Sequence, residues 1–295
     1  MVRSADLSGG FSVDVGMVAV TDHETCDLDI GVIYTHEREF MSPLVGSLAK
    51  SGDAVSKRLI LVDNASSGGV DEWSGLFERT QVVRNSTRLT YAENLNRILA
   101  AGTARYVLLL NTDMLFDPAE QALAKLVRFM DEHPDCGVSG CRLYHRDGSY
   151  AWPARRFQTL ATIAARRLGL SRLMGGTVAE YLYQDRAPTE SFPCEWLSGC
   201  LLMVRREAAE QVGGFDCGYA KYFEDVDFCL RMAVRGWSVL MNGGTYAWHF
   251  EQRASKRLLS RDALTHGRSY ARFLAKWGFD PAAKLRALPP LRRAA

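Results

Sequence analysis

From Asp29 onward, short apolar runs alternate with longer stretches of mixed polarity. Ile30 to Tyr34, Leu59 to Val62, Val82 to Val83, Tyr106 to Leu110 and Gly137 to Cys141 read as strands. The segments 39–51, 71–79, 91–101 and 118–132 between them read as helices. Tyr106-Val107-Leu108-Leu109-Leu110 is apolar at every position, as a parallel strand covered by helices on both faces must be. The resulting order βαβαβαβαβ predicts an α/β fold built on a doubly wound, mostly parallel sheet. Ligands of such sheets sit outside the carboxyl ends of the strands. The polar residues there are Thr35-His36-Glu37, Asp63-Asn64, Asn85 and Asn111-Thr112-Asp113. Each alone also reads as a helix cap or turn; several meeting on one rim favour a binding site.

The second half is less regular. Tyr150 to Pro193 is an arginine-rich excursion with one or two helices. Trp196 to Val204 reads as one buried strand, followed by a helix to Gly213-Gly214. Tyr222 to Arg231 opens a further helix closed at Arg235-Gly236, a C-terminal glycine signal. Two short strand patterns, Trp237 to Met241 and Tyr246 to His249, precede a helix near 257–277 and a basic tail. The expected organisation is an N-terminal extension, 1–28; a main domain, 29–256, with a regular first half (29–142) and a less regular second half (143–256); and a C-terminal helix and tail, 257–295.

Composition narrows the function classes. The 295 residues hold 36 basic and 34 acidic side chains, a net charge of +2, which argues against a dedicated nucleic-acid binder. Basic residues nevertheless cluster, at Arg155, Arg156, Arg166, Arg167 and Arg172 and again at Arg253, Lys256, Arg257 and Arg261. Such clusters suit phosphates or an anionic membrane surface, and equally solvated helix faces. Seven cysteines without CxxC spacing read as reduced thiols of a cytoplasmic protein. No apolar run reaches the roughly 18 residues of a membrane span. Any contact with the inner face of the membrane is therefore expected to be peripheral; the oligomeric state is not legible.

Three groups of residues carry candidate chemistry. Asn111-Thr112-Asp113 places a carboxamide and a carboxylate at the rim, and a phosphate-bridging cation needs only one or two protein carboxylates. Glu224-Asp225-Val226-Asp227 puts three carboxylates in four residues at a helix start, where they either complement the helix dipole or supply a general base. An ionised acid is expected there, because a helix N-terminus favours the charged form. His249 either packs in the core or completes a metal site. Arg253, Ser255 and Lys256 either form an exposed loop or close over a diphosphate.

Taken in order, Val32-Ile33-Tyr34-Thr35, Val62 to Ser67, Asn111-Thr112-Asp113, Trp196-Leu197-Ser198-Gly199, Gly213-Gly214-Phe215-Asp216 and Phe223 to Asp227 resemble the inverting family-2 glycosyltransferases. His133-Pro134-Asp135, Asp147-Gly148-Ser149 and Arg155-Arg156-Phe157 are similar to the rhamnosyltransferase branch. The resemblance runs from about Asp29 to about Lys256 and implies a GT-A fold, a nucleotide diphosphate sugar donor, Mn2+ or Mg2+, and a hydroxyl-bearing glycan or glycolipid acceptor. It implies donor contacts at Thr35 and Asp63 and at the metal-binding Asp113; Glu37, Asn64, Asn111, Arg253 and Lys256 are further donor-contact candidates from their places on the rim and in the late loop. It further implies metal ligands Asp113 and His249, a catalytic base at Asp225 with Glu224 orienting the acceptor, and an acceptor side shaped by Trp196, Ser198 and Gly199.

The sequence departs from that pattern at Asn111, the first position of the DxD-type motif. It also departs at Thr90 and Ile98, where relatives usually have glycine, and at Thr35-His36-Glu37-Arg38, where they have Thr-Tyr-Asn. These leave the sugar and base open. The expected reaction is a single displacement at the anomeric carbon, with inversion. A dinucleotide-dependent oxidoreductase would need a glycine fingerprint after the first strand, absent here. A non-catalytic assembly subunit on the same fold is the other reading.

Overall fold

The computed structural model describes residues 26–51, 55–159, 162, 175–250 and 261–286. The chain runs β1 (Leu28–Tyr34), α1 (Arg38–Lys50), β2 (Lys57–Asp63), α2 (Asp71–Ser74), β3 (Thr80–Arg84), α3 (Tyr91–Ala101), β4 (Tyr106–Leu110) and β5 (Met114–Leu115). It continues with α4 (Ala122–Glu132), β6 (Cys136–Tyr144), β7 (Ala154–Arg155), α5 (Gly175–Tyr181), β8 (Phe192–Pro193), β9 (Trp196–Leu197) and β10 (Leu201–Arg205). Last come α6 (Arg206–Val212), α7 (Glu224–Val234), β11 (Ser238–His249), α8 (Arg261–Trp277) and α9 (Pro281–Arg286).

One sheet of order β3-β2-β1-β4-β10-β6-β11-β5, with β8 on β11, carries the molecule. Its β3-β2-β1-β4 portion is parallel, with Ile30 opposite Leu59 and Leu108. β10 enters antiparallel between β4 and β6, so β6 does not pair with β4 although it follows it in the βα rhythm. A two-stranded ribbon, β7-β9, stands beside the main sheet.

Strand alternation sorts the core into two layers. Tyr106, Leu108 and Leu110 of β4 join Ile30 and Val32 under α1 and α4, whereas Val107 and Leu109 lie with Ile60 and Val62 under α3, α6 and α7. Fully burying each such side chain contributes about 1.5–3 kcal/mol. Gly31 lets α3 come close: a Cβ there would sit 2.3 Å from Ile98 Cγ2. Ile98 thus fills the space opposite a bare strand position, and Thr90 begins the same helix with a capping box shared with Glu93.

Four element readings change. The helix expected over 71–79 stops at Ser74: Gly75 follows, and Trp73 is already anchored by its Nε1, which donates to Ser42 Oγ at 3.0 Å. The helix expected from 118 opens as a 3-10 turn, Pro118–Glu120, and restarts at Ala122 because Gln121 adopts φ 53°. Trp196 to Val204 is two strands broken at Ser198-Gly199-Cys200, while the two strand patterns after Gly236 are one strand, β11, with a register shift between Asn242 and Tyr246.

Candidate active site

The carboxyl ends of β1 to β4 form a polar rim knitted by asparagines. Asn64 Nδ2 donates to the Leu89 carbonyl (3.2 Å) and its Oδ1 accepts from Leu89 N (2.8 Å) and Asn85 Nδ2 (3.0 Å). Asp63 accepts from Ser66 N at 2.9 Å and faces the Arg84 guanidinium at 3.3 Å, so its carboxylate is held within the loop that begins at Asn64. Glu37 turns back on its own loop, accepting from His36 N at 3.0 Å and Thr35 N at 3.3 Å, with Asn64 Nδ2 3.5 Å from Thr35 Oγ1. Thr35, Glu37, Asp63 and Asn64 therefore share one edge of the rim.

The break in the Trp196 to Val204 segment joins the remaining parts. Asn111 N donates to the Cys200 carbonyl at 2.9 Å. Tyr91, at the first turn of α3, donates its hydroxyl to Asn111 Oδ1 at 2.8 Å and lies 3.3 Å from the Gly199 carbonyl. On its other side Gly199 N donates to Asp225 Oδ2 at 2.9 Å. A Cβ on Gly199 would come within 3.2 Å of Asp225 Cβ and Oδ2, so glycine lets the turn approach the carboxylate without displacing it by a few tenths of an ångström. Ser198, whose N donates to the Pro153 carbonyl at 3.0 Å, begins the turn. Trp196 is 3% exposed, donates Nε1 to the Arg156 carbonyl at 2.6 Å and lies beneath the Arg155 guanidinium, so the surface belongs to the arginine.

Asp113 and His249 meet because β11 pairs with β5, placing His249 opposite Met114 while Phe250 N donates to the Asp113 carbonyl at 2.8 Å. His249 Nε2 faces Asp113 Oδ1 at 3.4 Å in an ion-pair contact, and that buried oxygen accepts no hydrogen bond. Burial lowers the His249 pKa, but the adjoining Cys200 and Asp113 groups outweigh it and raise it to about 11. A divalent cation fits here in exchange for the imidazole's proton, since the buried Asp113 oxygen accepts no hydrogen bond and the ring ligates only when neutral. Among the described residues no three histidine, cysteine or carboxylate groups could form a metal cluster, so most of the coordination would come from ligand oxygens.

The acidic cluster divides by role. Asp225 Oδ1 accepts from Val226 N at 2.8 Å in addition to the Gly199 contact, while Glu224 is buried with Oε2 unpaired. Desolvation raises the pKa of both, Glu224 further through the neighbouring Asp225; Gly199 N–H, Val226 N–H and Arg155 hold Asp225 partly down. Burial thus overrides the expected preference of a helix start for the ionised form. Asp227 is fully buried and structural: its carboxylate meets Arg231 Nε (2.7 Å), Trp277 Nε1 (2.7 Å) and Lys276 Nζ (2.8 Å). Immediately before the pair, Tyr222 and Phe223 adopt φ 70° and 69°, a left-handed conformation rare for aromatic residues that costs of order 1–3 kcal/mol each.

Tyr91 carries no role in the sequence reading, although the Thr90/Glu93 capping box places it at a helix start on the rim. Arg155 enters that reading only within a basic cluster suited to phosphates or an anionic membrane surface and within its motif, with no link to the acid pair. Arg253 and Lys256 lie outside the described residues.

An α/β sheet that gathers a carboxylate-histidine pair and an adjoining, largely buried acid pair at its strand ends has the layout of a catalytic site of that fold class. The profile of glycosyl transferase family 2 matches residues 29–213, more than half of the chain, and the protein belongs to that family and is a glycosyltransferase. It is similar to an N-acetylglucosaminyl-diphospho-decaprenol L-rhamnosyltransferase of Mycobacterium tuberculosis (strain ATCC 25618 / H37Rv), 27% identical over 234 residues covering 74% of each chain. It is also similar to rhamnosyltransferase WbbL of Escherichia coli (strain K12), 25% identical over 173 residues, 58% of this chain and 62% of that one. In fold it resembles the mannosyltransferase PcManGT of Pyrobaculum calidifontis in complex with GDP-Man and Mn2+, with TM-score 0.55 and 16% identity over 90% of this chain and 75% of that one. The structure of GalNAc-T7 with UDP, GalNAc and Mn2+ gives TM-score 0.61 and 16% identity over 91% and 52%.

Proposed function

We propose that the enzyme transfers rhamnose or a similar hexose, with inversion, from a nucleotide diphosphate sugar to a hydroxyl of a glycan linked through diphosphate to a lipid. The observation that carries this reading is the hydrogen-bonded path Asn111–Tyr91–Gly199–Asp225, which ties the strand end bearing the metal candidate to the acid pair. Similarity to an enzyme named for a diphospho-lipid acceptor supports the acceptor class. Thr35, Glu37, Asp63 and Asn64 would meet the donor's nucleoside, and Asn111 its phosphate side. Asp113 and His249 would hold Mn2+ or Mg2+, which when bound neutralises charge on the leaving nucleoside diphosphate.

Asp225 takes the proton of the attacking hydroxyl as its oxygen reaches the anomeric carbon. The Gly199 and Val226 N–H groups fix the carboxylate while leaving lone pairs on both oxygens for that proton. Glu224, buried beside it with Oε2 unpaired, orients the acceptor; the two acids titrate together. Arg253 and Lys256 would close on the diphosphate. Among the described residues no helix is long and apolar enough to cross a membrane, and action at the inner face, by peripheral contact, agrees with a lipid-linked acceptor.

The test is a panel of nucleotide sugars with Mn2+ or Mg2+, scored by thermal stabilisation and by nucleoside diphosphate release on a diphosphate-linked acceptor. A stabilising donor is expected to be turned over, and Asp225→Asn to keep donor binding while turnover falls about 100-fold to 10,000-fold. Turnover of Asp225→Asn equal to wild type at saturating donor would remove the assignment.

A further inference from the structure

The ribbon β7-β9 places Arg155 opposite Trp196, two positions before the Ser198-Gly199-Cys200 turn that holds Asp225. The Arg155 guanidinium lies 5.0 Å from the Trp196 ring centroid and Arg156 lies 4.3 Å from that of Tyr183. Arg155 donates Nε to the Trp152 carbonyl at 3.4 Å, from a residue held at φ 50°. Among the described residues neither arginine forms an ion pair with a carboxylate, whereas nearby Arg186 is paired with Glu190. A rigidly stacked guanidinium whose terminal N–H groups are uncommitted is built to receive a planar or tetrahedral anion.

Resting on the transfer reading above, we propose that Arg155, with Arg156 beside it, is the acceptor-recognition site and binds a phosphate of the acceptor next to Asp225. Arg155 also helps to hold the neighbouring Asp225 carboxylate ionised. An acceptor phosphate taken by the guanidinium fork is positioned beside that carboxylate, whereas a neutral glycan has no anion for the fork to take. The arginine is therefore a specificity residue as well as a contact.

The experiment compares two acceptors carrying the same sugar, one a neutral alkyl glycoside and the other an alkyl diphosphate ester, at saturating donor and metal. Wild type is expected to show a KM for the diphosphate ester lower by roughly tenfold or more, the range of a charge-assisted hydrogen-bonded pair. Arg155→Gln is expected to lose most of that preference, and Arg155→Lys, which keeps the charge without the fork, to retain part of it. Equal KM values for the two acceptors with wild type would overturn the inference without any variant being needed. An undiminished preference in folded Arg155→Gln would overturn it as well. Transfer to neither acceptor would instead overturn the acceptor reading itself, and the inference with it.

Discussion

At the scale of single residues the site is governed by burial of charge. The carboxyls of Glu224 and Asp225 are both raised, first by desolvation, and the groups facing them are each other, Tyr91, Arg155 and Lys221. A base must be ionised to work, so transfer should fall as pH drops through a midpoint above the usual carboxylate range. Arg155→Gln removes a charge that lowers Asp225 and should move that acid limb to higher pH, as a pH-rate profile of kcat/KM would record; an unmoved limb would detach Arg155 from the base. The same burial has a thermodynamic side. Glu224 binds its proton more tightly folded than unfolded, so stability declines as pH rises from the unfolded value toward the raised one, each tenfold gain in proton affinity being worth about 1.4 kcal/mol. Glu224→Gln should therefore unfold at higher denaturant than wild type at pH 8, the gap closing toward pH 4.5. A gap independent of pH would show that ionisation is not its cause.

At the scale of elements, the strand break at Ser198-Gly199-Cys200 and the junction of α7 with α8 set the geometry. Gly199→Ala forces Asp225 to shift by a few tenths of an ångström. Turnover should fall, up to on the order of 100-fold if the reacting groups move toward 1 Å, with nucleoside diphosphate binding retained; calorimetry beside kinetics separates the two. Helix α8 braces the strained residue before the acid pair: Tyr270 and Phe273 pack tilted against Phe223 with ring centroids 5.4 and 5.3 Å away, and Trp277 and Lys276 close on Asp227. Asp227→Ala leaves Arg231 without its buried partner and should cost about 3–5 kcal/mol in denaturant unfolding. A near-neutral change would mean that α8 does not depend on this anchor. Asp227 is accordingly a poor isosteric control for Asp225, a role its place in the sequence makes natural.

At the scale of the whole molecule the two sequence halves are one sheet, because β10 lies between β4 and β6 and Asp29 of β1 is paired with Arg58 (2.7 Å) and with Arg206 of α6 (2.7 Å). Asp29 is fully buried, so Asp29→Ala should cost about 3–5 kcal/mol. Far-UV dichroism and tryptophan fluorescence should still report one coincident transition; two separated transitions would show independent halves. The sequence by itself determined the parallel half, since doubly covered strands such as Tyr106 to Leu110 must be apolar throughout. It also placed Asp113 and Asp63 at strand ends, and its ordered motifs identified the family. Only the tertiary structure decided that Trp196 to Val204 breaks at Gly199, because a glycine in an apolar run carries no sign of the carboxylate it must approach. It alone separated Asp225 from Asp227, neighbours in sequence that one helical turn points into different surroundings, and alone placed Tyr91 and Arg155 against the acid pair. Those contacts join residues as far apart as 108 positions, and local pattern holds no information about which distant surfaces long-range packing will bring together.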